Sequence, residues 1–159
     1  MNNNRIIMED SFDVMGITLR TTNKEAIEVG TIAQLWQKFF TESIFSDIKN
    51  KVDNSIIALY YDFENGKEGE YSLLIGARVS SSTEVPVGLM VQHVPAQKRT
   101  VFVSETGSID HIVFDLWQKI WVLEDQNKLE RTYIADYELY DARSQNPQEA
   151  QIEIHIGSK

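Results

Sequence analysis

Apolar residues recur with helical spacing at two places in this chain, and the two stripes match. Ile32, Leu35, Trp36, Phe39 and Phe40 fall at i, i+3, i+4, i+7 and i+8, as do Val113, Leu116, Trp117, Ile120 and Trp121. This is the spacing of a helix with one face pressed on a core. Leu35-Trp36-Gln37-Lys38 and Leu116-Trp117-Gln118-Lys119 are identical letter for letter and lie 81 residues apart in a chain of 159. A matched pair of such helices at half the chain length predicts an internal duplication.

Strand-like patterns flank each helix. Arg5 to Met8 and Phe12 to Leu19 are the first, with Gly16 marking a bulge or a close backbone approach. Thr21-Thr22-Asn23 supplies capping groups, so a helix starts at Lys24 or after Gly30 and runs to about Ile48. Ile56 to Tyr61 and Tyr71 to Val79 read as a hairpin, with the turn at Asn65-Gly66 and Gly69. Ser80 to Glu84 is linker-like. Val87 to Val94 and Arg99 to Val103 are strand-like, interrupted by Pro95, which has no N–H to give to a ladder. Ser108 caps the second helix and Asn127-Lys128 ends it, before strands at Tyr133 to Asp141 and Ala150 to Ile156. Two more echoes point to duplication: Ile75-Gly76 with Ile156-Gly157, again 81 apart, and Asp62-Phe63-Glu64 with Asp136-Tyr137-Glu138, 74 apart. The expected fold is α+β, a duplicated strand–helix–strand–strand module with two main helices on a largely antiparallel sheet. One domain spans 1–159, its halves at roughly 1–80 and 84–159.

Composition narrows the function. The formal net charge is −9 and no Lys/Arg cluster occurs, so direct nucleic-acid binding is not expected. A negative field instead favours cationic small molecules at encounter. With no cysteine, disulfides, thiol catalysis and Cys-based zinc sites are excluded. His93, His111 and His155 are isolated and lack metal-ligand spacing, and the eight glycines form neither a dinucleotide nor a Walker loop. No cofactor or metal is therefore expected. Met1-Asn2-Asn3-Asn4 leads straight into a strand-like run rather than a signal peptide, and no apolar run approaches a membrane span. No membrane association and a cytoplasmic location are the expectations.

The remaining chemistry is acid among aromatic rings. Alternation along Tyr133 to Asp141 places Asp136, Glu138 and Tyr140 on one face, with Tyr133, Ala135, Tyr137 and Leu139 on the other. The closing strand puts Ile152, Ile154 and Ile156 on one face and Glu153 and His155 opposite. A carboxylate surrounded by rings suits an organic cation, through charge, dispersion and cation–π contact. The alternative is a solvated sheet face covered by tyrosines. Simple alternation also sets Glu138 and Ile154 on opposite faces, which would make the second helix a mere backing with its tryptophans in the core.

Taken together, the duplicated halves, the Leu-Trp helix and the late Asp-aromatic-Glu-x-Tyr strand resemble the GyrI-like family. That family is the effector-binding domain of many AraC- and MerR-type bacterial regulators, with stand-alone members carried on integron gene cassettes. The resemblance runs through Val94-Pro95-Ala96-Gln97-Lys98, Phe114 to Trp121, Asp136 to Tyr140 and Glu153-Ile154-His155-Ile156. It implies a hydrophobic pocket between two modules, with a buried acid that recognises cationic, often aromatic, ligands. Glu138 matches the family's glutamate, and Trp117 and Trp121 match the aromatic positions of its second helix; His155 stands where an aromatic is common. The candidate ligand-binding set is Glu138, Trp36, Trp117, Trp121, Tyr61, Phe63, Tyr140 and His155. The chain has no room for the regulators' DNA-binding domain, so a regulator or other protein, such as a polymerase or gyrase, would act in trans. A hydrolytic role with Glu138 as general base is the enzymatic alternative.

Overall fold

The computed structural model describes residues 4–159, so the Met1-Asn2-Asn3 start read above lies outside the described residues. Local chemistry explains where the helices begin and end. Thr22 accepts the Glu25 amide through its hydroxyl at 3.0 Å, opening helix α1 (Asn23–Glu28). Gly30, at φ 77°, lets the chain turn and restart as α2 (Thr31–Thr41), so both candidate helix starts are used. The helix does not reach Ile48. It stops at Thr41 because Ser43 takes a left-handed conformation, and the short α3 (Ile44–Asp47) follows. Helix α4 (Ile109–Asp125) begins after Ser108, although the serine side chain makes no capping hydrogen bond.

The strands are β1 (Arg5–Glu9), β2 (Phe12–Thr21), β3 (Ile56–Tyr61), β4 (Tyr71–Val79), β5 (Met90–Val94), β6 (Gln97–Val103), β7 (Ala135–Tyr140) and β8 (Glu153–Gly157). Strand β5 starts later than the sequence suggested, because Gly88 at φ +88° turns the chain and Leu89 donates back to the Pro86 carbonyl. All pairings are antiparallel, in the order β1-β6-β8-β7-β3-β4-β2-β5. Exchanging β1 with β5, β2 with β6, β3 with β7 and β4 with β8 turns this order into its own reverse. The duplication is thus written in the topology. Gly76 and Gly157 fall on β4 and β8, which occupy equivalent places, whereas Asp62 lies just beyond β3 while Asp136 lies within β7. The 74-residue echo is therefore not a structural one.

The sheet also closes on itself. In both the β1–β6 and the β2–β5 ladders, the paired residue numbers add to 106, so one unbroken register runs along Arg5 to Gly16 and Met90 to Val101. The ladder lapses only around Asp10-Ser11 and Pro95-Ala96, where proline cannot donate. Farther along β2, Gly16 faces Gly76, where a Cβ on either residue would lie within 2.0 Å of a facing carbonyl oxygen. Only glycine permits so close an approach. The inner face carries Phe12, Val14, Leu59, Tyr61, Leu74 and Tyr137. Phe12 and Tyr137 belong to strands that are not neighbours, yet their rings meet at 5.6 Å, as a concave face requires. The outer face packs Met15, Ile75, Ile154 and Ile156 beneath Leu35 and Phe39 of α2 and Leu116 and Ile120 of α4. Each such fully buried aliphatic chain contributes about 1.5–3 kcal/mol relative to exposure. Among the described residues, no helix is long and apolar enough to cross a membrane.

Candidate functional site

Strand β7 presents Asp136, Glu138 and Tyr140 toward the helices and Ala135, Tyr137 and Leu139 inward. The ladder pairs Glu138 with Ala58 on one side and with Ile154 on the other. Directly paired residues share a face, so Glu138 and Ile154 lie on the same side of the sheet. This corrects the expectation of opposite faces: alternation orders residues within a strand, but register alone relates one strand to the next. Helix α4 accordingly does more than back the site.

Glu138 is 2% exposed and accepts three hydrogen bonds from neutral groups. Tyr60 Oη on β3 reaches Oε2 at 2.8 Å, Trp117 Nε1 on α4 reaches the same oxygen at 2.7 Å, and Tyr140 Oη reaches Oε1 at 2.6 Å. Ala58, directly opposite, is too small to crowd the carboxylate. Burial pushes the Glu138 carboxyl above its ordinary value, and the three donors partly offset that rise. The same burial, together with the charge of Glu138, holds the Tyr60 and Tyr140 hydroxyls firmly protonated. Among the described residues, no lysine, arginine or histidine forms an ion pair with Glu138.

Around this carboxylate lies a cavity of about 1220 Å³, roofed by α1 and α2 on one side and α4 on the other. Its walls are rings in mutual contact, two pairs edge to face and one stacked. Trp36 meets Tyr140 at 5.0 Å, Tyr60 meets Trp117 at 5.5 Å, and Trp121 stacks on Trp117 at 6.1 Å. Exposed Ile27, Phe40 and Phe114 line its mouth. One guanidinium borders it: Arg131, whose charge lies over the Trp117 and Tyr133 rings and is bound to Asp136 at 2.7 Å. The arrangement can hold a large apolar body against rings while offering one buried negative charge.

Six of the eight residues expected from sequence line this cavity: Glu138, Trp36, Trp117, Trp121, Phe63 and Tyr140. Tyr61 and His155 do not. Tyr61 alternates away from Tyr60 into the inner core with Phe12 and Tyr137. His155 faces the same interior, stacked on Tyr137 at 4.5 Å and paired with Glu153 at 2.8 Å. Sequence reasoning missed Tyr60, Tyr71 and Arg131. Tyr60 was one register step from selection; Arg131 sits in the connection before β7, where no periodicity points to it. Among the described residues, no group of three or more metal-ligating side chains forms.

The family described as "Cass2: Integron-associated effector binding protein" matches residues 5–157. The putative transcriptional regulator protein YobU of Bacillus subtilis is 31% identical over 146 residues, covering 91% of this chain and 90% of that one. The transcriptional regulator BrlR of Pseudomonas aeruginosa is 28% identical over 96% of this chain, which spans 54% of BrlR. Among solved structures, an integron cassette protein from the mobile metagenome of Vibrio cholerae superposes with a TM-score of 0.79 at 24% identity, covering 98% of this chain and 95% of that one. A structure of SAV2435 bound to tetraphenylphosphonium superposes at 0.81 and 20% identity, covering 99% and 94%. At these identities the solved structures share the fold.

Proposed function

The chain belongs to the Cass2 family of integron-associated effector binding proteins, and from that premise we propose that its cavity receives a hydrophobic, aromatic cation. The observation that carries the reading is Glu138: a carboxylate buried among rings, held by three neutral donors and given no cation by the described residues. A bound cation supplies the missing counter-charge, and the ring faces of Trp36, Trp117 and Trp121 supply dispersion and cation–π attraction. The volume of about 1220 Å³ suits a ligand of several fused or linked rings. The tetraphenylphosphonium held by SAV2435, on the same fold, supports a cation of this kind. The chain then acts as a sensor or sequestering module, and the relatives named as transcriptional regulators support a link to transcription. The hydrolytic alternative would have to work through the one lone-pair position on Oε1 that Tyr60, Trp117 and Tyr140 leave open.

Titrating the intrinsic tryptophan fluorescence with a planar aryl cation tests the reading. Wild-type protein is expected to saturate, and Glu138→Gln to lose about 2–5 kcal/mol of affinity. Equal binding by both proteins would remove Glu138 from the site.

A further inference from the structure

Donors already crowd the Glu138 carboxylate, and their number bears on which cations the cavity takes. An ionised carboxylate offers about four lone-pair positions. Oε2 accepts from both Tyr60 and Trp117, while Oε1 accepts from Tyr140 and keeps one position. Among the described residues, no other carboxylate is free within the buried part of the cavity. Asp136, on the same strand face, is bound to Arg131 and to the Gly157 amide at 2.6 Å. Asp141 is paired with Arg143 at 2.7 Å, and Asp110 lies exposed in the first turn of α4. Rings and aliphatic carbon make up much of the lining, and its nearby polar groups are engaged: Asn23 accepts from Tyr71 and donates to the Lys67 carbonyl, Lys67 pairs with Asp125, and Arg131 with Asp136.

We infer that the cavity selects cations without N–H groups, quaternary or charge-delocalised, over primary ammonium ions on the same hydrocarbon frame, with Tyr60, Trp117 and Tyr140 setting that selectivity. The inference rests on the proposed role of the cavity as a cation receptor. A primary ammonium carries three donors, all bonded to water before it binds. Inside, one carboxylate position receives one of them, and the others are left to phenol oxygens and ring faces, which are weaker acceptors. Each buried donor without a good acceptor keeps its desolvation penalty. A quaternary ion has no donor to leave unpaired. Its charge, spread over a methyl or aryl shell, is met by the carboxylate at contact distance and by the faces of the tryptophans.

Calorimetric titration at neutral pH with a matched pair, 4-phenylbenzyltrimethylammonium and 4-phenylbenzylammonium, tests this on the wild-type protein. The quaternary ion is expected to bind at least about tenfold more tightly. In Tyr140→Phe, whose second free position on Oε1 can take another ammonium donor, the gap is expected to narrow several-fold, with unchanged far-UV circular dichroism as the check on folding. A primary ammonium that binds wild-type protein as tightly as the quaternary ion overturns the selectivity while leaving the cation-receptor reading intact. Failure of both ions to bind overturns both. A gap that stays the same in a folded Tyr140→Phe overturns the assignment to the donors.

Discussion

Asp136 and Glu138 stand two residues apart on one face of one strand, at 0% and 2% exposure, and among the described residues only the first has a cation. Asp136 receives the Arg131 guanidinium at 2.7 Å and the Gly157 amide at 2.6 Å, so its charge is neutralised within the protein. Glu138 receives a tryptophan and two tyrosines, which orient and partly solvate the carboxylate but carry no charge. A buried anion without a counter-charge is costly, and natural structures seldom keep one without use. The difference separates a carboxylate that holds the fold together from one held ready for something outside it. Asp136 ties β7 to the connection before it and to the end of β8; Glu138 faces the cavity.

The largest effect expected from this contrast is on stability. Arg131→Met leaves Asp136 buried without its partner and is expected to cost about 3–5 kcal/mol in urea unfolding, with little change in the slope. Arg131→Met combined with Asp136→Asn should recover much of the loss, since the uncompensated charge is gone. A single substitution that costs under about 1 kcal/mol would show that Asp136 is as self-sufficient as Glu138, and the contrast would collapse.

Next in size is the pH dependence of cation binding. Burial raises the Glu138 carboxyl above its ordinary value of 4.5, and a cation is attracted to the ionised form. Below the raised value protons compete with the ligand, so affinity should fall about tenfold, or 1.4 kcal/mol, per pH unit. A quaternary cation is the right probe because it does not itself titrate. A dissociation constant that stays flat between about pH 4 and pH 8 would mean that Glu138 does not set the attraction.

A smaller effect separates two neighbouring tyrosines. Tyr60 donates to Glu138, and Tyr61 points to the opposite side of the sheet. Tyr60→Phe removes a donor worth about 1.5–3 kcal/mol to the ionised carboxylate, so the pH midpoint of cation binding should move up by about 1–2 units. Tyr61→Phe should leave it where it was. Equal shifts from both would contradict the placement of Tyr60 and Tyr61 on opposite faces.

These tyrosines also mark the limit of what the chain reveals before folding. Both long helices and the faces of β7 follow from periods of 3.6 and 2, and the hairpin turn from Asn65-Gly66, all local and visible in the letters. The rings of Trp36, Trp117 and Trp121 come with those helices. Tyr60 could not be told from Tyr61, nor Glu138 set beside Ile154, because both depend on register between strands that are far apart in sequence. Arg131 was invisible for another reason. It lies in an irregular connection, and its value to Asp136 arises only when β7 folds back on it.

The smallest expected effect is the most pointed. Glu138→Gln should change ligand-free stability by no more than about 0.5 kcal/mol near pH 4, below the unfolded value, although it alters a buried, triply hydrogen-bonded residue. The amide oxygen can still accept from Tyr60 and Trp117, and the amide nitrogen can donate to Tyr140 once that hydroxyl rotates. No ion pair is lost, because the described residues give Glu138 none. The sign of what remains depends on pH. A carboxyl whose folded value is raised contributes stability fully present below the unfolded value of 4.5 and lost as pH rises through the folded one. Glutamine has no such loss, so the variant should gain on the wild type in thermal melts as pH climbs from 4.5 through that window, and then hold its lead. A substitution that instead destabilises the protein at high pH would give Glu138 a stabilising electrostatic partner, and would make it a structural acid like Asp136.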